Sequence, residues 1–179
     1  MEQLAGATGC IWAQGISSRG MKEDDYEKIT VGYPLAAAKA FAGLGNKMNF
    51  VYMSGEGANM DEQKAGTMFG RIKGRAEKQL LEVAAAEHSL NVYNIRPAVI
   101  NPEGKHLQER TPSLQDKSSV GIGWILEKVW KSFVVSTDRL AQACLDLALG
   151  DGKPISAGVG VEADGRLLRN TALRALSDR

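Results

Sequence analysis

Three short apolar runs limit what this chain can fold into: Cys10-Ile11-Trp12-Ala13, Asn49-Phe50-Val51-Tyr52-Met53 and Asn91-Val92-Tyr93-Asn94-Ile95. The first is bounded by glycines and suits a strand buried in a parallel sheet. Helix-forming stretches separate the three. Tyr33 to Phe41 is alanine-rich and stops at Gly43 and Gly45, as a helix with a glycine C-terminal signal does. Thr67 to His88 reads as one long helix, with Ile72, Ala76, Leu80, Val83 and Ala84 on one stripe and Arg71, Arg75, Lys78 and Glu82 largely off it. Arg96-Pro97 ends the third strand, because proline has no N–H for the next ladder bond. Strand then helix, repeated, predicts an α/β layer fold with a parallel sheet.

Beyond Pro97 the expectations are a polar loop from Glu103 to Ser119, a short amphipathic helix from Gly123 to Trp130 and an extended piece at Phe133-Val134-Val135. A helix capped by Thr137 or Asp138 should run to Gly150, and a terminal helix should span Glu162 to Leu176. Trp12, Trp124 and Trp130 read as core or interface aromatics.

At 179 residues the chain fits a single domain, residues 1–179. Twenty-two basic residues against 21 acidic ones leave a net charge of +1, interspersed rather than blocked, so no field favours nucleic acid or a membrane surface. Cys10 and Cys144 are too few for a disulfide framework, which points to a reduced, cytoplasmic setting. The first residues lack the basic-then-apolar build of a secretory leader, and no stretch approaches the ~20 apolar residues of a membrane span. His88 and His106 have no partners at ligand spacing, so no metal site is expected.

Four segments, taken in order, resemble the extended or atypical short-chain dehydrogenase/reductase family, which includes the nucleoside-diphosphate-sugar epimerases. Phe50-Val51-Tyr52-Met53-Ser54 is similar to the family's strand ending in a catalytic serine. Phe69-Gly70-Arg71-Ile72-Lys73, continuing to Glu77, resembles its Tyr-x-x-x-Lys helix. Ile95-Arg96-Pro97-Ala98-Val99-Ile100-Asn101-Pro102 is similar to its Arg-Pro turn beside the nicotinamide, and Val134-Val135-Ser136-Thr137-Asp138-Arg139-Leu140-Ala141 resembles a later helix start. The resemblance covers roughly residues 10 to 150. It implies a Rossmann-like three-layer fold, NAD(P) as cofactor, a small-molecule substrate, Ser54 and Lys73 as catalytic residues, and Gly15, Lys73, Arg96 and Pro97 beside the cofactor.

Two departures bear on function. The family's tyrosine position is Phe69. A phenol can exchange the proton that accompanies hydride transfer and a phenyl ring cannot. Thr67 and Tyr52 are the nearby hydroxyls that could stand in. The family's opening strand, Gly-x-x-Gly-x-x-Gly loop and helix, which cradle the pyrophosphate, also have no counterpart. Gly6-Ala7-Thr8-Gly9 offers two glycines, but the third would fall on Trp12 and a strand-like run follows where a helix is needed. Ala13-Gln14-Gly15 instead matches the end of the family's fourth strand. The chain then reads as a partial Rossmann-like fold lacking its first βαβ units, with the edge of Cys10 to Ala13 open to self-association or a partner chain.

Three functional expectations follow. The leading one is an atypical member without ordinary dehydrogenase turnover, for which a non-catalytic binding or scaffold role is one alternative. Another is an NAD(P)-dependent oxidoreductase or epimerase whose gene has been read from too late a start. The last is a redox-neutral isomerase or cyclase using Ser54, Lys73 and Arg96 to position a substrate.

Overall fold

The computed structural model describes residues 4–44, 46–103 and 133–177. The expected helix from Gly123 to Trp130 and the loop beyond Glu103 lie outside the described residues, as do His106, Trp124 and Trp130.

Strand β1 (Gly9–Trp12) is followed by helix α1 (Glu23–Glu27), a wider π turn (Lys28–Gly32) and helix α2 (Tyr33–Ala42). Then come β2 (Met48–Met53), the long helix α3 (Met68–Ala86), β3 (Leu90–Arg96), β4 (Val99–Asn101), β5 (Val134–Ser136) and helix α4 (Thr137–Leu149). The chain closes with β6 (Val161–Glu162), β7 (Leu167–Arg169) and helix α5 (Asn170–Ser177). The main sheet has the order β1-β2-β3-β7-β6; the first four strands are parallel and β6 runs antiparallel at the edge. A separate parallel pair joins β4 to β5.

Helices cover both faces, which makes three layers. Side chains alternate along β2, so Phe50 and Tyr52 meet Tyr26, Val31, Ala38, Ile72 and Leu80 on the α1–α3 face. Val51 joins Tyr93, Ile95, Leu140, Ala143, Leu147 and Leu173 on the face of α4 and α5. Asn49 is the polar exception in β2. Its amide donates to the carbonyls of Ala148 (3.3 Å) and Gly150 (2.8 Å), satisfying orphan acceptors at the end of α4. Among the described residues no helix is long and apolar enough to cross a membrane.

The parallel strands and the long helix lie where the sequence put them. The terminal helix does not: a hairpin of β6 and β7 replaces its first half, and α5 begins only at Asn170. Ala163, Asp164 and Gly165 have φ of 48°, 51° and 82°, a left-handed run that no right-handed helix can include. This turn drives Leu167 and Leu168 into the core, both fully buried. The cap of α4 also shifts by one residue, since Ser136 Oγ accepts the Arg139 N–H at 3.4 Å.

Candidate functional site

Phe69, Lys73 and Glu77 are spaced by four on α3 and so share one face. That face meets the C-terminal ends of β2 and β3, the side of a parallel sheet where open α/β folds place ligands. Thr67 starts the helix, its Oγ1 accepting the Gly70 N–H at 3.0 Å. This ties the Thr67 oxygen to the backbone as an acceptor, its O–H still able to donate. The Tyr52 hydroxyl is engaged as well, donating to the Thr30 carbonyl at 3.0 Å beneath the π turn.

Lys73 is a buried lysine, 8% exposed, and does not project into solvent. Its Nζ donates to the Met53 carbonyl at 2.9 Å and lies 4.8 Å from the centre of the Tyr52 ring. Desolvation brings its pKa down to about 8, partly opposed by the negative charge of Glu77. Burial, with the Glu77 charge behind it, pushes the Tyr52 phenol well above its ordinary range.

Glu77 is fully enclosed and faces Arg96 in a two-pronged pair, Nε to Oε1 at 2.8 Å and Nη2 to Oε2 at 2.5 Å. Arg96 Nη1 reaches Glu162 at 3.8 Å, and Arg169 links Glu162 (3.6 Å) to Glu56 (2.6 Å). Charges of alternating sign thus run Glu77, Arg96, Glu162, Arg169, Glu56. They tie α3 to β3, β6, β7 and the loop after β2.

Ser54 sits at the tip of β2, held by its N–H to the Ile95 carbonyl at 2.8 Å. Its Oγ is buried and has no hydrogen-bond partner among the described residues. The Phe69 ring tip packs on the next residue: a Cβ built on Gly55 would stand 3.0 Å from Phe69 Cζ. A phenyl edge, which has no exchangeable proton, therefore rests on this loop. Glu56 N–H donates to the Pro97 carbonyl at 3.0 Å, clipping this loop to the Arg-Pro turn. Gly15 lies apart from these groups, in the exposed loop after β1, with open space around its Cα.

The sequence did not single out Gly70 and Gly74. The loop from Gly57 to Asn59 lies directly on α3 at these positions. A Cβ at Gly70 would meet the Gly57 carbonyl oxygen at 2.5 Å, and one at Gly74 would meet that of Asn59 at 1.8 Å. Two glycines four apart on a helix carrying a lysine motif were the available signal for a loop laid along it.

As for a dinucleotide, Gly9 belongs to β1, so Gly6-Ala7-Thr8-Gly9 leads into a strand and not into a helix. Among the described residues β1 has β2 on one side and no strand on the other. The Arg96 charge is already answered by Glu77. These residues do not make the strand–glycine loop–helix cradle that a pyrophosphate requires.

Fold and site together define a three-layer α/β protein of partial Rossmann-like form, with a buried serine and a buried lysine at the head of its sheet. No family model matches the chain. It is 30% identical to Botcinic acid biosynthesis cluster B protein 16 of Botryotinia fuckeliana, over 79% of its own length and 96% of that protein's, and belongs to the same family. It is 29% identical to Leucinostatins biosynthesis cluster protein T of Purpureocillium lilacinum, over 97% of its own length and 72% of that protein's.

Proposed function

We propose that this protein serves a biosynthesis cluster of the kind its relatives are named for, as a short-chain dehydrogenase/reductase-like protein that does not carry out ordinary hydride transfer. The observation that carries the reading is the Phe69 ring edge packed on Gly55 beside a lysine whose ammonium is already bonded to Met53. Phe69 offers no exchangeable proton at the position where the family it resembles carries a tyrosine. Between a purely non-catalytic role and a redox-neutral isomerase or cyclase, the Ser54 hydroxyl favours the latter. A buried hydroxyl without a partner is a ready donor to a substrate carbonyl or hydroxyl. Lys73 lies one residue behind it, as a neighbouring positive charge.

NAD(P) is not a working cofactor in this reading. Titration calorimetry with the four oxidised and reduced dinucleotides should give no binding in the low micromolar range, and nicotinamide absorbance should not change with a panel of carbonyl compounds. Low-micromolar binding with turnover would overturn the proposal. We further infer that a second copy of the chain covers the free edge of β1.

A further inference from the structure

We propose that a cavity at the opposite end of the sheet, beside the start of β3, binds a small apolar molecule carrying a carboxylate, with Arg166 as its anchor. This site is separate from the Ser54–Lys73 region, and the inference does not depend on the function proposed above. The cavity measures about 330 Å³, within the range of small-molecule sites. Leu81, Ala84 and Ala85 of α3 and Val92 of β3 form its apolar wall, and His88 and Arg166 border it. It exists because β7 is short. That strand pairs only with Asn94, Ile95 and Arg96, so among the described residues the first half of β3 has no strand on this side.

The charge at this cavity selects the ligand class. Arg166 Nη2 donates to the Gly152 carbonyl at 2.9 Å, and its guanidinium carbon stands 4.9 Å from the centre of the Tyr93 ring. Nη1 is buried with no hydrogen-bond partner, and among the described residues no carboxylate pairs with Arg166. Asn91, another polar group at the wall beside His88, is already bonded to Asn49 Oδ1 at 3.0 Å. A half-buried guanidinium with one nitrogen unsatisfied gains from an anionic acceptor with two oxygens, the geometry of a carboxylate. The apolar wall of α3 gains from a hydrocarbon tail. A free phosphate would satisfy the first requirement and leave the second unmet.

The test is an NMR titration of the ¹⁵N-labelled protein with sodium octanoate, 1-octanol and inorganic phosphate in parallel. Octanoate should shift the amides of Leu81 to Val92 and Arg166, with a dissociation constant at or below about 1 mM. Octanol and phosphate should bind at least roughly tenfold more weakly. Arg166→Met keeps the apolar stem and removes the charge; it should weaken octanoate about tenfold or more and leave octanol unchanged. Should Arg166→Met fail to fold, Ala85→Phe decides. Ala85 is exposed, so the added ring fills the cavity without disturbing the core, and octanoate binding should be lost. Octanoate binding unchanged by whichever variant folds, octanol binding as tightly as octanoate, or no shift at these amides would each overturn the proposal.

Discussion

At the scale of single residues, Glu77 and Arg96 set the clearest contrast between an interaction that is present and one that stabilises. Glu77 is fully buried and Arg96 is 7% exposed, so removing either partner strands a charge in a poorly solvating site. Glu77→Met or Arg96→Met alone should cost about 3–5 kcal/mol, whereas the double replacement should come out close to neutral. Urea unfolding of the three variants measures this, and equal losses in single and double variants would contradict it. Lys73 makes a separate, pH-dependent prediction. Its folded pKa of about 8 lies below the roughly 10.4 of an unfolded lysine. Between those values the unfolded chain holds a proton that the folded chain has released, so this group's contribution to stability rises with pH. Cys10 and Cys144 act in the opposite sense. Burial pushes both thiols up to about 11, so they keep protons that the unfolded chain loses, and their contribution falls above about pH 8.5. The parent and Lys73→Met share those thiols, and subtracting their unfolding curves isolates the lysine. The parent should gain on the variant steadily from pH 8 towards 10.5; a difference independent of pH would mean that Lys73 is solvated.

At the scale of elements, α3 and the loop laid on it give a prediction whose sign is itself the test. Helix propensity alone says that Gly74→Ala should stabilise by about 1 kcal/mol. The Asn59 carbonyl oxygen, 1.8 Å from where the new Cβ would stand, says that the loop must lift off. The close contact should win. Gly74→Ala is expected to lower the unfolding midpoint and to speed amide exchange across Gly57 to Lys64. A stabilised variant with unchanged exchange would show that the loop does not lie on the helix. The strands and α3 were legible in the sequence because apolar runs and a helical stripe are local patterns. The loop contact was not, because it depends on which backbone crosses the helix. The β6–β7 hairpin was missed for a different reason. Leu167, Leu168, Ala172 and Leu173 fall at spacings a helix could also use, and the local signal against a helix there is Asp164-Gly165, a dipeptide strongly associated with hairpin turns. The motif residues Ser54, Phe69, Lys73 and Arg96 were found by resemblance. What hid from the sequence was that Lys73 turns inward and that Arg96 is spent on Glu77.

At the scale of the whole molecule, the two edges of the sheet are unequal. The β6 edge is two residues long and continues into a tight turn, which leaves little to pair with. The β1 edge is four residues of parallel strand, and next to it Ile11, Leu140, Cys144 and Leu145 line an apolar groove of about 330 Å³. Ile11 and Leu145 are 39% and 44% exposed, and Leu149, on the same helix as Leu145, is 75% exposed. Among the described residues the C-terminal segment does not shield this edge, because β7 and β6 occupy the far side of the sheet. Proteins seldom leave a strand edge and an adjoining apolar surface both open. The purified chain should therefore self-associate, eluting above its 19.3 kDa monomer mass by size exclusion with light scattering. Ile11→Lys places a charge in the groove beside the free edge, the device that natural edge strands use against pairing, and should shift the population to monomer without lowering the unfolding free energy by more than about 1 kcal/mol. Cys10, also in β1, provides the control. Its side chain points to the other face, towards Phe50 and Ala38, so Cys10→Ser should leave association unchanged. A parent that runs as a sharp monomer, with no binding of a dye for exposed apolar surface, would remove the second copy from the proposed function and leave β1 with a solvated edge.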